Sequence, residues 1–108
     1  MGTIVSPDGC FEWEEEKNTL NKENHGFRFE EVLAVFDDPF FLEAFDNEHS
    51  KFDEIRLKGI ASFDRRIFFF LSYTERGGRI RLISARLAEP HERKYYDENY
   101  RQQTFGHE

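Results

Sequence analysis

Little in this sequence argues for a membrane, a disulfide scaffold or a metal centre. A single cysteine, Cys10, in 108 residues leaves no partner for an internal disulfide and fits a reducing compartment. At that place in the chain it reads as an ordinary free thiol. The longest apolar run, Ile67-Phe68-Phe69-Phe70-Leu71, is far short of the roughly 18–20 residues a membrane helix needs. The first ten residues have neither the basic start nor the apolar centre of a secretion signal. Met1-Gly2-Thr3-Ile4-Val5-Ser6 fits the short myristoylation pattern, but nothing basic follows it, and a chance match is the better reading. No repeat, linker or low-complexity stretch is present. Motifs for zinc, for a nucleotide phosphate or for a Ser or Cys nucleophile are missing too. His49, His91 and His107 lack ligand spacing, and the acidic first half does not match a calcium loop. The expectation is a soluble cytoplasmic protein that needs no metal or cofactor.

What the chain does have is aromatic side chains and an uneven charge. Thirteen Phe, four Tyr and one Trp offset a hydrophobic content of only 38%, and a few buried aromatics can anchor a small core. The length suits a single domain over residues 1–108. Net charge is −7, yet residues 1–55 hold 4 Lys/Arg against 15 Asp/Glu, while residues 56–108 hold 11 against 7. Four arginines and no acid occur between Arg76 and Arg86. Two readings fit this asymmetry: an anionic partner for the basic surface, or pairing of the basic strand with the acidic half of its own fold.

Periodicity gives an outline. The first ten residues read as a flexible lead-in. Three glutamates open a helix at Glu14 that runs to His25, with Gly26 as its left-handed stop. Leu20 is its one clear apolar residue, so Phe11, Trp13 and Phe27 must hold its ends. Phe29, Val32, Leu33 and Phe36 make one helical stripe, ended by Asp37-Asp38-Pro39. Strands are expected over 40–45, 54–61, 67–74 and 79–86, with a polar turn at 46–50 and a glycine hairpin at Gly77-Gly78. Residues 67–74, apolar on both faces, read as the central strand. A last helix starts near Glu89 with Pro90 in its first turn, and residues 102–108 read as frayed. The fold class predicted is α+β: two N-terminal helices, a four-stranded antiparallel sheet and a C-terminal helix, with the helices on one sheet face.

Alternation along the strands puts Glu54, Arg56 and Lys58 on one side of a strand, and Arg79 and Arg81 on one side of another. Arginine suits a phosphodiester because its planar fork makes two hydrogen bonds and keeps its charge. A solvated outer face of salt bridges is the alternative. Acid–base candidates are few. His25 serves either chemistry or the end of its helix, and Glu54 is either a base or a partner for an arginine. Tyr73 and Tyr95 could orient a substrate or simply pack.

These residues together resemble the BrnT toxin family of bacterial type II toxin–antitoxin modules. The resemblance runs from Phe11 to Tyr96. It is carried by Phe11-Glu12-Trp13, Lys17, Asn21, His25-Gly26, Phe29-Glu30-Glu31 and Val35-Phe36-Asp37-Asp38-Pro39. Further along come Glu54-Ile55-Arg56, Gly59, Tyr73-Thr74-Glu75-Arg76, Ile80 to Arg86, Ala88, Glu92-Arg93 and Tyr96. It implies a RelE-like ribonuclease that arrests translation, and a BrnA-like ribbon-helix-helix antitoxin that supplies the operator DNA contact. The site residues it implies are His25, Glu54, Arg56, Arg76, Arg81 and Arg86, with Lys58 and Arg79 as further RNA contacts. In the mechanism implied, the 2′-oxygen attacks the neighbouring phosphorus without a metal. Arg56, Arg81 and Arg86 hold the phosphate, Glu54 or His25 takes the proton, and Arg76 steadies the leaving side. Three positions depart from the family pattern: Asn24 in place of a lysine before His-Gly, Glu14 in place of an aspartate, and Arg28 in place of a small hydroxyl residue. A relative that keeps the fold and the antitoxin grip without cutting RNA is the alternative function, favoured by Asn24 and the acidic net charge.

Overall fold

Thr3-Ile4-Val5 and Phe11-Glu12-Trp13-Glu14 are short β-favouring runs around Pro7-Asp8-Gly9, and they pair. In the computed structural model, which describes residues 2–106, Thr3–Val5 (β1) lies antiparallel to Phe11–Glu14 (β2), with Ile4 opposite Trp13. Asp8 closes the turn, its carboxylate accepting from the Ser6 hydroxyl at 2.6 Å and the Cys10 amide at 3.0 Å. The expected flexible lead-in is therefore the first hairpin of the sheet. Helix α1, Glu15–His25, begins one residue later than predicted because Glu14 still belongs to β2. Gly26, at φ 87°, ends it in the left-handed conformation.

The apolar poverty of α1 has a structural answer: it is anchored by amides. Asn18 and Asn21 are its buried side chains, and Leu20 is exposed. Asn18 accepts from the Phe29 amide at 2.7 Å and donates to Glu30 at 2.8 Å. Asn21 accepts from the Ala85 amide at 2.9 Å, and donates to the Ala85 carbonyl at 2.8 Å and the Phe27 carbonyl at 2.9 Å. One side chain thus pairs with a backbone edge as a neighbouring strand would.

The second predicted helix is instead a pair of 3-10 turns, Phe29–Glu31 and Leu33–Asp37, broken at Val32. The stripe corrects accordingly: Phe29, Val32 and Val35, three residues apart, are fully buried, as a helix with three residues per turn requires. Leu42–Phe45 (β3), Leu57–Phe63 (β4), Ile67–Arg76 (β5) and Arg79–Leu87 (β6) follow. β4 starts later than expected because residues 46–56 form a closed loop. The Ser50 hydroxyl donates to the Asp46 carbonyl at 2.8 Å and accepts from the Arg56 amide at 2.9 Å. Gly77 and Gly78, at φ 59° and 83°, make the predicted hairpin. Helix α2, Pro90–Phe105, continues through 102–105, which sequence reading took as frayed; His107 and Glu108 lie outside the described residues.

Among the described residues the sheet has six strands, not four, in the order β1-β2-β6-β5-β4-β3, and it is mixed because β2 runs parallel to β6. β5 is central in it, as predicted. Helical segments cover both faces rather than one. On the first face, Trp13, Ala61, Phe69, Leu71, Tyr73, Leu82 and Ala85 meet Phe29, Val32 and Val35. On the second, Ile60 and Phe68 meet Tyr96 of α2. Asp38 ties α2 down, accepting from the Tyr96 hydroxyl at 2.7 Å and the Ser62 amide at 2.8 Å. Burial, together with the Asp38 carboxylate, pushes the Tyr96 phenol up to about 12.

Candidate functional site

A single irregularity in β6 decides where its arginines point. Ser84 sits opposite Ser72 but Leu82 sits opposite Tyr73, so Ile83 is an extra residue that bulges out of register. Strict alternation would put Arg81 and Arg86, five apart, on opposite faces. With the bulge, Arg86 faces Phe70, Arg81 faces Thr74 and Arg79 faces Arg76, all even-numbered positions of β5. Lys58 of β4 faces Ser72, another even position. Five of the predicted site residues, Lys58, Arg76, Arg79, Arg81 and Arg86, therefore share the sheet face on which α2 lies. Strict alternation would turn Arg86 away from Arg79 and Arg81; the bulge brings it to their side.

Three of these cations already hold carboxylates. Arg81 donates to Glu12 and, at 3.1 Å, to Glu14, and is nearly buried between them. Arg79 lies 3.8 Å from Glu12 and donates to the Gly9 carbonyl at 3.0 Å. Arg86 makes a bidentate pair with Glu92, at 2.9 and 2.8 Å, and stacks its guanidinium over Phe70 at 4.4 Å. The hydrogen bonds it donates to Glu92 raise the Arg86 pKa. Burial by itself would raise Glu92, but the Arg86 guanidinium and the Glu89 amide outweigh it and hold that carboxyl below its ordinary range. Among the described residues, Lys58 and Arg76 form no ion pair. The acidic first half does pair with the basic strand, as one reading of the charge asymmetry required, and it leaves these two cations over.

Glu54 and Arg56 do not sit on a strand, so the expected run of Glu54, Arg56 and Lys58 along one strand side does not form. They bond to each other at 3.1 Å in the loop before β4. Glu54 and Arg76 line one open cleft of about 670 Å3 at the end of the sheet, together with Lys51 and Thr74. The Thr74 hydroxyl donates to the Ile55 carbonyl at 2.8 Å, and Thr74 is the partner of Arg81 in the sheet. The cleft thus adjoins the arginine face. His25 stands exposed at the end of α1, and among the described residues no hydrogen bond or ion pair joins it to the others.

Sequence reasoning missed the acids that hold the arginines. Their signal was present: Glu12 and Glu14 alternate across Trp13, and Glu89-x-x-Glu92 is a capping box at the start of α2. The role of α2 itself was missed as well. Its first turn carries His91 and Glu92 to the rim of the same face.

Sheet, bulge and collected cations define a small α+β protein with an arginine-bearing sheet face. The sequence pattern of the BrnT family, described as ribonuclease toxins of type II toxin–antitoxin systems, matches residues 13–92. The chain belongs to that family. Its fold is similar to the crystal structure of the Brucella abortus ribonuclease toxin BrnT, with a TM-score of 0.53 and 25% identity, over 71% of this chain and 92% of that one. No curated protein sequence matches the chain.

Proposed function

We propose that this chain is the toxin of its module: a metal-independent endoribonuclease of the bacterial cytoplasm that halts translation by cutting RNA. A BrnA-like ribbon-helix-helix antitoxin neutralises it, and operator DNA is reached only through that antitoxin. The observation that carries this reading is the single face shared by Lys58, Arg76, Arg79, Arg81 and Arg86. Pentavalent phosphorus gains negative charge as the 2′-oxygen adds, and fixed guanidinium groups lower that barrier without reorganisation. Arg76 and Arg81 bind the phosphate, Arg86 and Arg79 extend the track, and Glu54, steadied by Arg56, lines the cleft beside Arg76. His25, exposed at the end of α1, is assigned no step.

Induced expression in a bacterium tests the reading. Growth arrest with new 5′-hydroxyl RNA ends, relieved by the antitoxin, is the expected result. Arg76→Ala is the informative variant, because Arg76 is exposed and makes no ion pair that the fold depends on. Arg81→Ala removes the partner of two glutamates and needs a check of folding alongside. Full toxicity in both variants sinks the site assignment.

A non-catalytic module that only grips its antitoxin is the second reading. It is favoured by Glu12, Glu14 and Glu92, which occupy the arginines where a phosphate would bind. It predicts harmless expression, a stable antitoxin complex and intact RNA.

A further inference from the structure

On the same sheet face lies a groove of which the cation track described above uses Lys58 alone. It holds about 470 Å3 between β3, β4, β5 and the first turns of α2, within the range of small-ligand sites. Leu42, Ile60 and Phe70 supply apolar surface, Lys58 reaches it from β4, and His91 and Tyr95 reach it from α2. Each part has a feature that packing leaves unexplained. Lys58 forms no ion pair among the described residues, although the acids on the same face engage every arginine of β6. Tyr95 is a large aromatic left 62% exposed. His91, also exposed, has Glu89 at 3.7 Å.

Building on the ribonuclease reading, we propose that this groove seats one nucleotide of the RNA strand, with Lys58 on its phosphate, its base against Tyr95, and His91 taking the 2′-hydroxyl proton. An ammonium group is a compact charge for a phosphate oxygen, and an exposed phenol ring is a sequence-tolerant stacking platform for a base. As His91 accepts the proton, the bond from the 2′-oxygen to phosphorus forms and the bond from phosphorus to the 5′-oxygen breaks. The leaving oxygen takes a proton from water, and the imidazolium returns its own to solvent. His91, rather than the Glu54 or His25 that the family resemblance implies, is then the base of the reaction. Glu89, His91 and Glu92 also bring ligand atoms within 4.8 Å of one another. Both Glu92 oxygens are already held by Arg86, so a metal there would have to displace a guanidinium. Charged and titratable groups around His91 are Glu89, Glu92 and Tyr95 on its own helix, Lys58 from β4, Glu43 from β3 and Arg86 through Glu92.

Two readouts on the full chain test the proposal. Binding is followed by fluorescence anisotropy with an RNA oligonucleotide made uncleavable by 2′-deoxy substitution. Cutting is followed in single turnovers with the unmodified oligonucleotide. Lys58→Ala and Tyr95→Ala are expected to weaken binding, Tyr95→Ala by roughly fivefold or more. His91→Ala is expected to leave binding unchanged and slow cutting about 100-fold. Thermal unfolding of each variant checks the fold. If the wild type cuts RNA and all three variants bind and cut as it does, the groove proposal falls and the ribonuclease reading stands. If the wild type binds through Lys58 and Tyr95 but cuts nothing, the ribonuclease reading and the role of His91 fall together. Loss of antitoxin binding in these variants, with RNA binding and cutting intact, gives the groove to the antitoxin and overturns the proposal.

Discussion

The two faces of the sheet are built on different principles. The first is closed: Trp13, Phe69, Leu71 and Tyr73 lie against Phe29, Val32 and Val35, and each fully buried side chain of this kind contributes about 1.5–3 kcal/mol. Its buried amides, Asn18 and Asn21, are hydrogen-bonded, while the Trp13 indole N–H has no partner among the described residues. The second face is half closed. α2 seals one part through Ile60, Phe68 and Tyr96, and the remainder is left to Lys58, arginines and the acids that hold them. Stability is concentrated on the first face, and the second leaves Lys58 and Arg76 without an ion pair among the described residues. Changes on the first face should therefore cost fold, and changes at the free cations of the second should cost activity alone.

Asn21→Ala strikes the closed side hardest. It strips the Ala85 amide and carbonyl and the Phe27 carbonyl of their partner, and a loss of about 2–4 kcal/mol is expected in denaturant unfolding. Gly59→Ala comes next. A methyl group at this position would overlap the Phe41 ring, and overpacking of this kind costs about 1–3 kcal/mol, read as a lower Tm. Glu92→Gln tests the seam between the faces and carries a pH signature. The carboxyl is held below its ordinary value near 4.5 in the fold, so its stabilisation is full above that pH and fades as pH falls through the depressed native value. The wild type should exceed the variant by about 1–3 kcal/mol at neutral pH, with the gap closing in acid. Arg76→Ala is the smallest in stability, within about 0.5 kcal/mol, while its RNA cutting falls. A large loss of stability in Arg76→Ala, with cutting unaffected, would erase the distinction between the faces.

Much of this division was legible in the sequence. The β5–β6 hairpin announced itself through Gly77-Gly78, the central strand through its unbroken apolar run, and α2 through Pro90. The first hairpin was missed although Thr3-Ile4-Val5 and Pro7-Asp8-Gly9 carried its signal, because three residues form too short a run to outweigh a terminal position. The 3-10 turns read as a helix because Phe29 and Val32 begin both stripes, the helical one with Leu33 and Phe36 and the three-residue one with Val35. The bulge at Ile83 left no mark in the sequence, and without it Arg86 cannot be put on the right face. The acidic pairing of Arg81 also depended on the parallel contact of β2 with β6, a long-range feature that local pattern does not encode.

The central claim is that this chain cuts RNA with its own side chains. The direct measurement is incubation of the purified, antitoxin-free protein with an RNA oligonucleotide in excess chelator, followed by analysis of the product ends. Fragments bearing a cyclic 2′,3′-phosphate and a 5′-hydroxyl are the expected result. Intact RNA, or cutting that stops when divalent metal is removed, would contradict it.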